Sequence, residues 1–211
     1  MGRALAQLPE VEAKKKSAEE KGKARVSTTD PDARVMKMAD GGFRPAVNGQ
    51  FVTDTAAQVI VGVEASNAGS DLGQLAPLVA QVQAHYGQAP AEVLAAGGDI
   101  KLEDLVTVGC TVYAPVPQPR DPARAPYQRR PGDPEAIAQW RERMGTEAAK
   151  VIYKERAATS ECVNALARNR GLRHFVVRGV KKATAVLLWF ALAHNLMRAV
   201  ALRRAAGCVP A

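Results

Sequence analysis

At 211 residues, with 29 Lys and Arg against 21 Asp and Glu and a formal charge of +8, the chain is long enough to bury one ordinary core. The cation excess favours a polyanionic partner through counterion release, although a moderately basic surface also serves solubility alone. Cys110, Cys162 and Cys208 form no C-x-x-C pair and have no histidine close by, which excludes a disulfide framework and zinc spacing and fits a reducing cytoplasm. Met1 to Glu20 is too polar for a secretory signal.

In chain order, Ala13 to Arg25 is a mixed-charge run without apolar periodicity, expected as a frayed helix or solvated arm without a core. Ser27 to Asp40 is turn-rich, Gly41-Gly42 loosens the backbone, and the globular part is expected from Phe43. The expected organisation is an arm and linker over 1–40, a domain over 41–204 and a tail over 205–211. Phe51 to Ala65 carries two β-branched runs around a polar turn at Asp54 to Ala57, a hairpin pattern. Gln74 to Tyr86 spaces Leu75, Leu78, Val79 and Val82 as an amphipathic helix. Ala91 to Ala96 reads as a short strand ending at Gly97-Gly98, so strand, helix and strand predict an α/β sheet with a crossover helix.

A brief helix over the Leu-Glu-Asp-Leu segment precedes a strand over Cys110 to Pro115. Val116 to Pro134 holds six of the 13 prolines together with Arg120, Arg124, Arg129 and Arg130, and is expected as an exposed basic loop. Trp140 to Arg168 is helical, interrupted near Gly145-Thr146 where Thr146 can cap the next helix. His174 to Val177 is β-like, and Lys181 to Arg204 predicts a long apolar helix whose core, Ala183 to Ala193, is too short to cross a bilayer and is expected to be buried. Trp140, Trp189 and Phe190 are expected as packing residues, and His194 as a hydrogen-bonded core or boundary residue rather than a ligand.

The informative segment is Tyr153-Lys-Glu-Arg156-Ala-Ala-Thr-Ser-Glu161, continuing to Arg168, Arg170-Gly171, Phe175 and Arg178-Gly179. It resembles the Tyr, Arg, Glu, Lys/Arg signature helix of the DDE transposases of bacterial insertion sequences. Leu188 to Leu202, with Ala193-His194-Asn195-Leu196, resembles their long carboxy-terminal helix. Thr29 to Asp54 and Gln58 to Asp71 resemble family segments around the early strands, so the similarity runs from about Thr29 to Arg204. The spacing from Arg156 to Glu161 is one residue longer than the commonest signature, and Val47 and Gly49 replace the family's usual Tyr and Val.

The resemblance implies an RNase H-like mixed sheet with flanking helices, incomplete at its amino-terminal edge, and a chemistry of metal-dependent DNA cleavage and strand transfer. Two divalent ions held by clustered carboxylates serve such in-line displacements, and oxygen-rich sites of that kind suit Mg2+ or Mn2+. It places the third family carboxylate, catalytic and metal-binding, at Glu161. DNA contacts are implied at Tyr153, Lys154, Arg156, Arg168, Arg170, Arg173 and Arg178. The second carboxylate position is Ala96, whose methyl group binds no metal; Asp99 lies three residues later and could substitute only if the turn refolded. The first family aspartate belongs upstream of Thr29, so the chain is expected to be a truncated copy without it. Asp30, Asp40 and Asp54 read as turn and cap residues instead. The expectation is therefore a catalytically inactive transposase fragment. Its expected partners are DNA, as terminal inverted repeats and target, and a second transposase subunit; no membrane is expected. The expected location is the bacterial cytoplasm at the nucleoid. The alternative is a non-catalytic DNA-binding or interaction module that modulates a full-length transposase.

Overall fold

The computed structural model describes residues 2–38, 40–98, 100–121 and 123–208. The chain is mixed α/β and divides into two compact units.

The first unit comprises Met1–Gln50, Val63–Gly69 and Ala167–His194. Helix α1 (Gly2–Ala13) buries only Ala4, and α2 (Ala18–Gly22) is a single capped turn in which the Ser17 side chain accepts the Glu20 N–H. That short turn, with no buried residue, is what a mixed-charge run without apolar periodicity can support. The stretch expected as turns forms instead an antiparallel hairpin of β1 (Arg34–Lys37) and β2 (Phe43–Ala46), paired from Arg34↔Ala46 to Lys37↔Phe43. Gly41, at φ +82, supplies the left-handed residue of its turn. The sequence pattern does not reveal β1 because one buried residue, Met36, is too little alternation to register.

Asp30 and Asp32 are turn and cap residues, as expected of Asp30, and they act at long range. Asp30 Oδ2 accepts the Gly179 N–H at 3.1 Å and Asp32 Oδ2 accepts the Val180 N–H at 3.3 Å, satisfying backbone donors at the start of a carboxy-terminal helix. The buried side chains of this unit are small, chiefly Ala33, Ala65, Ala167, Ala183 and Ala191 around Met36, Val63 and Leu187. Gly49 belongs to the same packing. A Cβ there would come within 3.0 Å of Leu187 Cδ1, so the departure from the family's usual Val fits close approach of a leucine to backbone.

The second unit comprises Phe51–Gly62, Ser70–Leu166 and Asn195–Ala211. Strands β3 (Asn48–Thr53) and β4 (Ile60–Ser66), of which the stretch Phe51–Gly62 belongs to this unit, pair as the expected hairpin, closed by the Asp54 N–H donating to Val59 O. Asp54 Oδ1 accepts the Ala57 N–H at 2.6 Å, so this aspartate is also a turn residue. Helix α3 (Leu75–Tyr86) buries Leu75, Val79 and Val82 on the predicted stripe and ends at Gly87, φ +74. Then come β5 (Glu92–Leu94), the single turn α4 (Asp104–Thr107) and β6 (Thr111–Tyr113). β5 and β6 run parallel, Glu92↔Thr111 to Leu94↔Tyr113.

The expected single sheet is not formed among the described residues, whose strands make three two-stranded sheets. The strand, helix, strand order is observed, but β4 pairs with β3 and β5 with β6. Pro90, Gly97 and Pro115 flank β5 and β6 closely, and three-residue strands so bounded offer little ladder for a neighbour.

Helix α5 (Glu135–Met144) packs Ile137, Trp140 and Met144 into a core with Leu75, Val79, Val112, Tyr113 and Ala114. Trp140 is 2 % exposed and donates Nε1–H to Ala114 O at 3.2 Å, so its polar end is satisfied. Thr146 caps helix α6 (Glu147–Arg156) as expected, its hydroxyl accepting the Ala149 N–H at 3.2 Å. A π-turn (Ala157–Glu161) joins α6 to α7 (Cys162–Asn169). The β-like segment His174 to Val177 is not a strand: it lies between Gly171 and Gly179, both at positive φ, with Val176 88 % exposed and no partner strand among the described residues.

Helix α8 (Val180–Ala205) is longer than its apolar core suggested, and its 26 residues with mean hydropathy 1.6 are long and apolar enough to cross a membrane. It is not the buried helix expected. Ala183, Leu187, Ala191 and His194 are buried, while Leu188, Leu192, Leu196 and Met197 are exposed and Trp189 is 71 % exposed. His194, 1 % exposed, is a core residue, as expected, and stacks on Phe190 with ring centroids 6.0 Å apart.

Candidate functional site

The segment from Tyr153 to Glu161 begins in α6, where Tyr153 is half-buried against the core, and ends in the π-turn. In an α-helix each residue advances about 100°, so positions five apart lie about 140° from alignment and cannot pair. The i→i+5 wind of a π-turn absorbs one extra residue and restores the alignment. Arg156 and Glu161 are five apart, and Arg156 Nη1 donates to Glu161 Oε1 at 2.5 Å. The extra residue in the signature spacing is therefore taken up as a bulge, and Glu161 stays on the face of Arg156. Arg156 also lies 5.9 Å from the centre of the Tyr153 ring.

Two further side chains hold the turn. Thr159 donates its hydroxyl to Glu155 O at 3.0 Å, and Gln58 reaches from the β3–β4 turn to donate Nε2–H to Ala158 O at 3.0 Å. Gln58 is itself at φ +57, a left-handed conformation uncommon outside glycine. On α8, Asn195 brackets Ile60: its Oδ1 accepts the Ile60 N–H at 2.7 Å and its Nδ2 donates to Ile60 O at 2.8 Å. Arg198 Nε donates to Ala57 O at 3.0 Å. The Ala-His-Asn-Leu stretch stands out in the sequence, but this role for it does not. Its trace there is a polar Asn195 and a charged Arg198 inside an apolar run.

The structure brings Tyr153, Arg156 and Glu161 together and leaves Lys154 exposed on the same helix. Arg168 belongs to the last turn of α7, and Arg170, Arg173 and Arg178 follow in the loop before α8; all four are exposed. Arg173 Nε donates to Arg168 O at 3.1 Å. Among the described residues none of these four guanidinium groups pairs with a carboxylate. The sequence from Cys162 to Ala211 has nine Lys and Arg and no Asp or Glu. The Pro-rich segment is irregular as expected, but its Arg129 is engaged, forming ion pairs with Glu135 and Glu142 at 2.8 Å each, which raise the arginine's pKa and hold Glu135 below the usual carboxylate range.

A divalent metal does not fit what is present. Glu161 is tied to a guanidinium, and among the described residues no three His, Cys, Asp or Glu side chains converge. Asp99, the substitute that the sequence offers, lies outside the described residues.

Residues 110–200 match the family model described as a transposase DDE domain. The match runs from β6 into α8 and includes Glu161 and all seven residues expected at DNA. No curated protein and no solved structure matches the chain.

Proposed function

We propose that the chain descends from an insertion-sequence transposase with an RNase H-like domain over 41–204, and that it binds DNA without cutting it. The observation that carries this reading is the run of exposed, carboxylate-free cations Arg168, Arg170, Arg173 and Arg178 that follows the signature helix in the chain. Clustered cations neutralise neighbouring phosphates together and release their counterions together. Tyr153, Lys154 and Arg156 offer further DNA-facing groups within their own unit, Arg156 being partly neutralised by Glu161. Terminal repeats and target DNA at the nucleoid are the ligands this reading supplies. Loss of cutting follows from Ala96 and from the engagement of Glu161, a lone carboxylate being a poor holder of two ions.

The test is binding of duplex DNA across a salt series. Affinity is expected to fall steeply with salt, and Arg168→Ala/Arg170→Ala/Arg173→Ala is expected to flatten the logarithmic slope by roughly 0.9 for each phosphate that is no longer neutralised. Absence of binding at low salt rejects the reading. With Mg2+ or Mn2+ on inverted-repeat DNA no nicking is expected, and nicking abolished by Glu161→Ala would show the site competent. The second reading, an interaction module that modulates a full-length transposase, draws on the exposed apolar face of α8. It predicts co-elution with such a transposase in the absence of DNA.

A further inference from the structure

A cavity of 510 Å³ lies in the second unit, lined by residues between Gly97 and Arg141, ahead of the signature helix in the chain. Its lining includes Gly97 and Pro115, the residues just beyond the ends of the parallel strands β5 and β6. Ligands of α/β folds bind outside the carboxyl ends of parallel strands, because the loops there diverge and leave a crevice. Four arginines face this crevice, Arg120, Arg124, Arg130 and Arg141, and among the described residues Asp121 is the one carboxylate in the lining.

The four cations are not equivalent. Arg141 is the built floor: its side chain is 4 % exposed, it bonds Asp133 at 2.8 Å, and it lies 5.6 Å from the centre of the Trp140 ring. Arg124 touches Asp121 at 3.8 Å with both side chains open to water, a pairing that contributes little. Arg120 and Arg130 pair with no carboxylate among the described residues. Gathering like charges around one cavity is unfavourable until an anion enters, and the guanidinium fork matches phosphate oxygens two at a time. Apart from Gln118, the rest of the wall, with Leu102 and Pro115, is apolar. The volume is in the range that encloses a single small ligand, about 300–1,000 Å³.

We propose that this cavity holds a phosphate of a nucleic-acid strand, with Arg120 and Arg130 donating to its oxygens and the adjoining sugar lying on the apolar wall. The choice of a nucleic acid rests on the DNA reading above; the anion site itself rests on the lining. Trp140 lines the cavity, and Trp189 is the other tryptophan of the chain, so Trp189→Phe makes Trp140 the sole tryptophan emission probe. The full chain carrying that change is titrated at low salt with pyrophosphate and, separately, with a short single-stranded oligonucleotide. Saturable changes in Trp140 emission are expected with both. Adding Arg120→Ala and Arg130→Ala is expected to weaken both by about tenfold or more, with the melting transition unchanged. No response to either probe, or a response indifferent to the two arginines, overturns the proposal. A response to pyrophosphate without one to the oligonucleotide overturns the nucleic-acid assignment. The DNA reading is judged separately, by anisotropy of labelled duplex, which does not pass through Trp140.

Discussion

Asn195 shows how one side chain can replace a strand edge. It presents an acceptor and a donor to the two backbone groups of Ile60, a residue 4 % exposed, so both polar groups are satisfied without a neighbouring strand. Asn195→Ala is expected to destabilise the protein by about 1–3 kcal/mol for each group left without a partner, read from urea unfolding. Tyr113 gives a prediction in pH. Burial and donation of its hydroxyl to Glu92 at 3.1 Å push its pKa above the ordinary phenol range. Its neutral form is the one held in the folded state, so its contribution is complete below the unfolded tyrosine pKa and is lost as pH rises through the raised value. Absorbance titration should show one tyrosine ionising late, and Tyr113→Phe should remove that step. Glu161 and Arg156 are legible in the sequence because their signature is local. Gln58 and Asn195 are not, since their partners lie 100 and 135 residues away and no periodicity marks such pairs.

Among the elements, the π-turn makes the sharpest prediction. Deleting one residue within Ala157–Ser160 should convert the segment to continuous α-helix while keeping Arg156 and Glu161 on one face, then four apart. The helical signal in circular dichroism should be preserved, and the hydrogen bond from Gln58 to Ala158 O should disappear. Deletion inside α7 instead should rotate Val163 and Ala167, 1 % and 4 % exposed, out of their packing and lower the melting temperature clearly. Removing the cap with Thr146→Ala should cost about 1 kcal/mol. Elements with a helical period, such as α3 and α5 to α7, a long apolar run, as in α8, or a turn between β-branched runs, as in β3 and β4, can be read from sequence. The pairing of strands cannot, because β5 and β6 have three residues each and their partners are chosen by tertiary packing around Trp140.

For the whole molecule, charge and apolar surface are distributed so that salt acts on them in opposite directions. The cations beyond Glu161 lose affinity for phosphate as salt rises. Leu188, Trp189, Leu192, Leu196 and Met197, exposed along α8, are drawn together more strongly by salts excluded from protein surfaces. Self-association measured by light scattering should therefore grow with sulfate concentration, and Trp189→Lys with Leu192→Lys should suppress it while leaving the melting temperature nearly unchanged. The practical consequence concerns the choice of anion. In sulfate buffers, precipitation of the chain would imitate loss of DNA from solution, and a titration there would confuse a solubility limit with an affinity. Chloride at low protein concentration separates the two, so the exposed face of α8 decides the buffer in which the arginines can be measured.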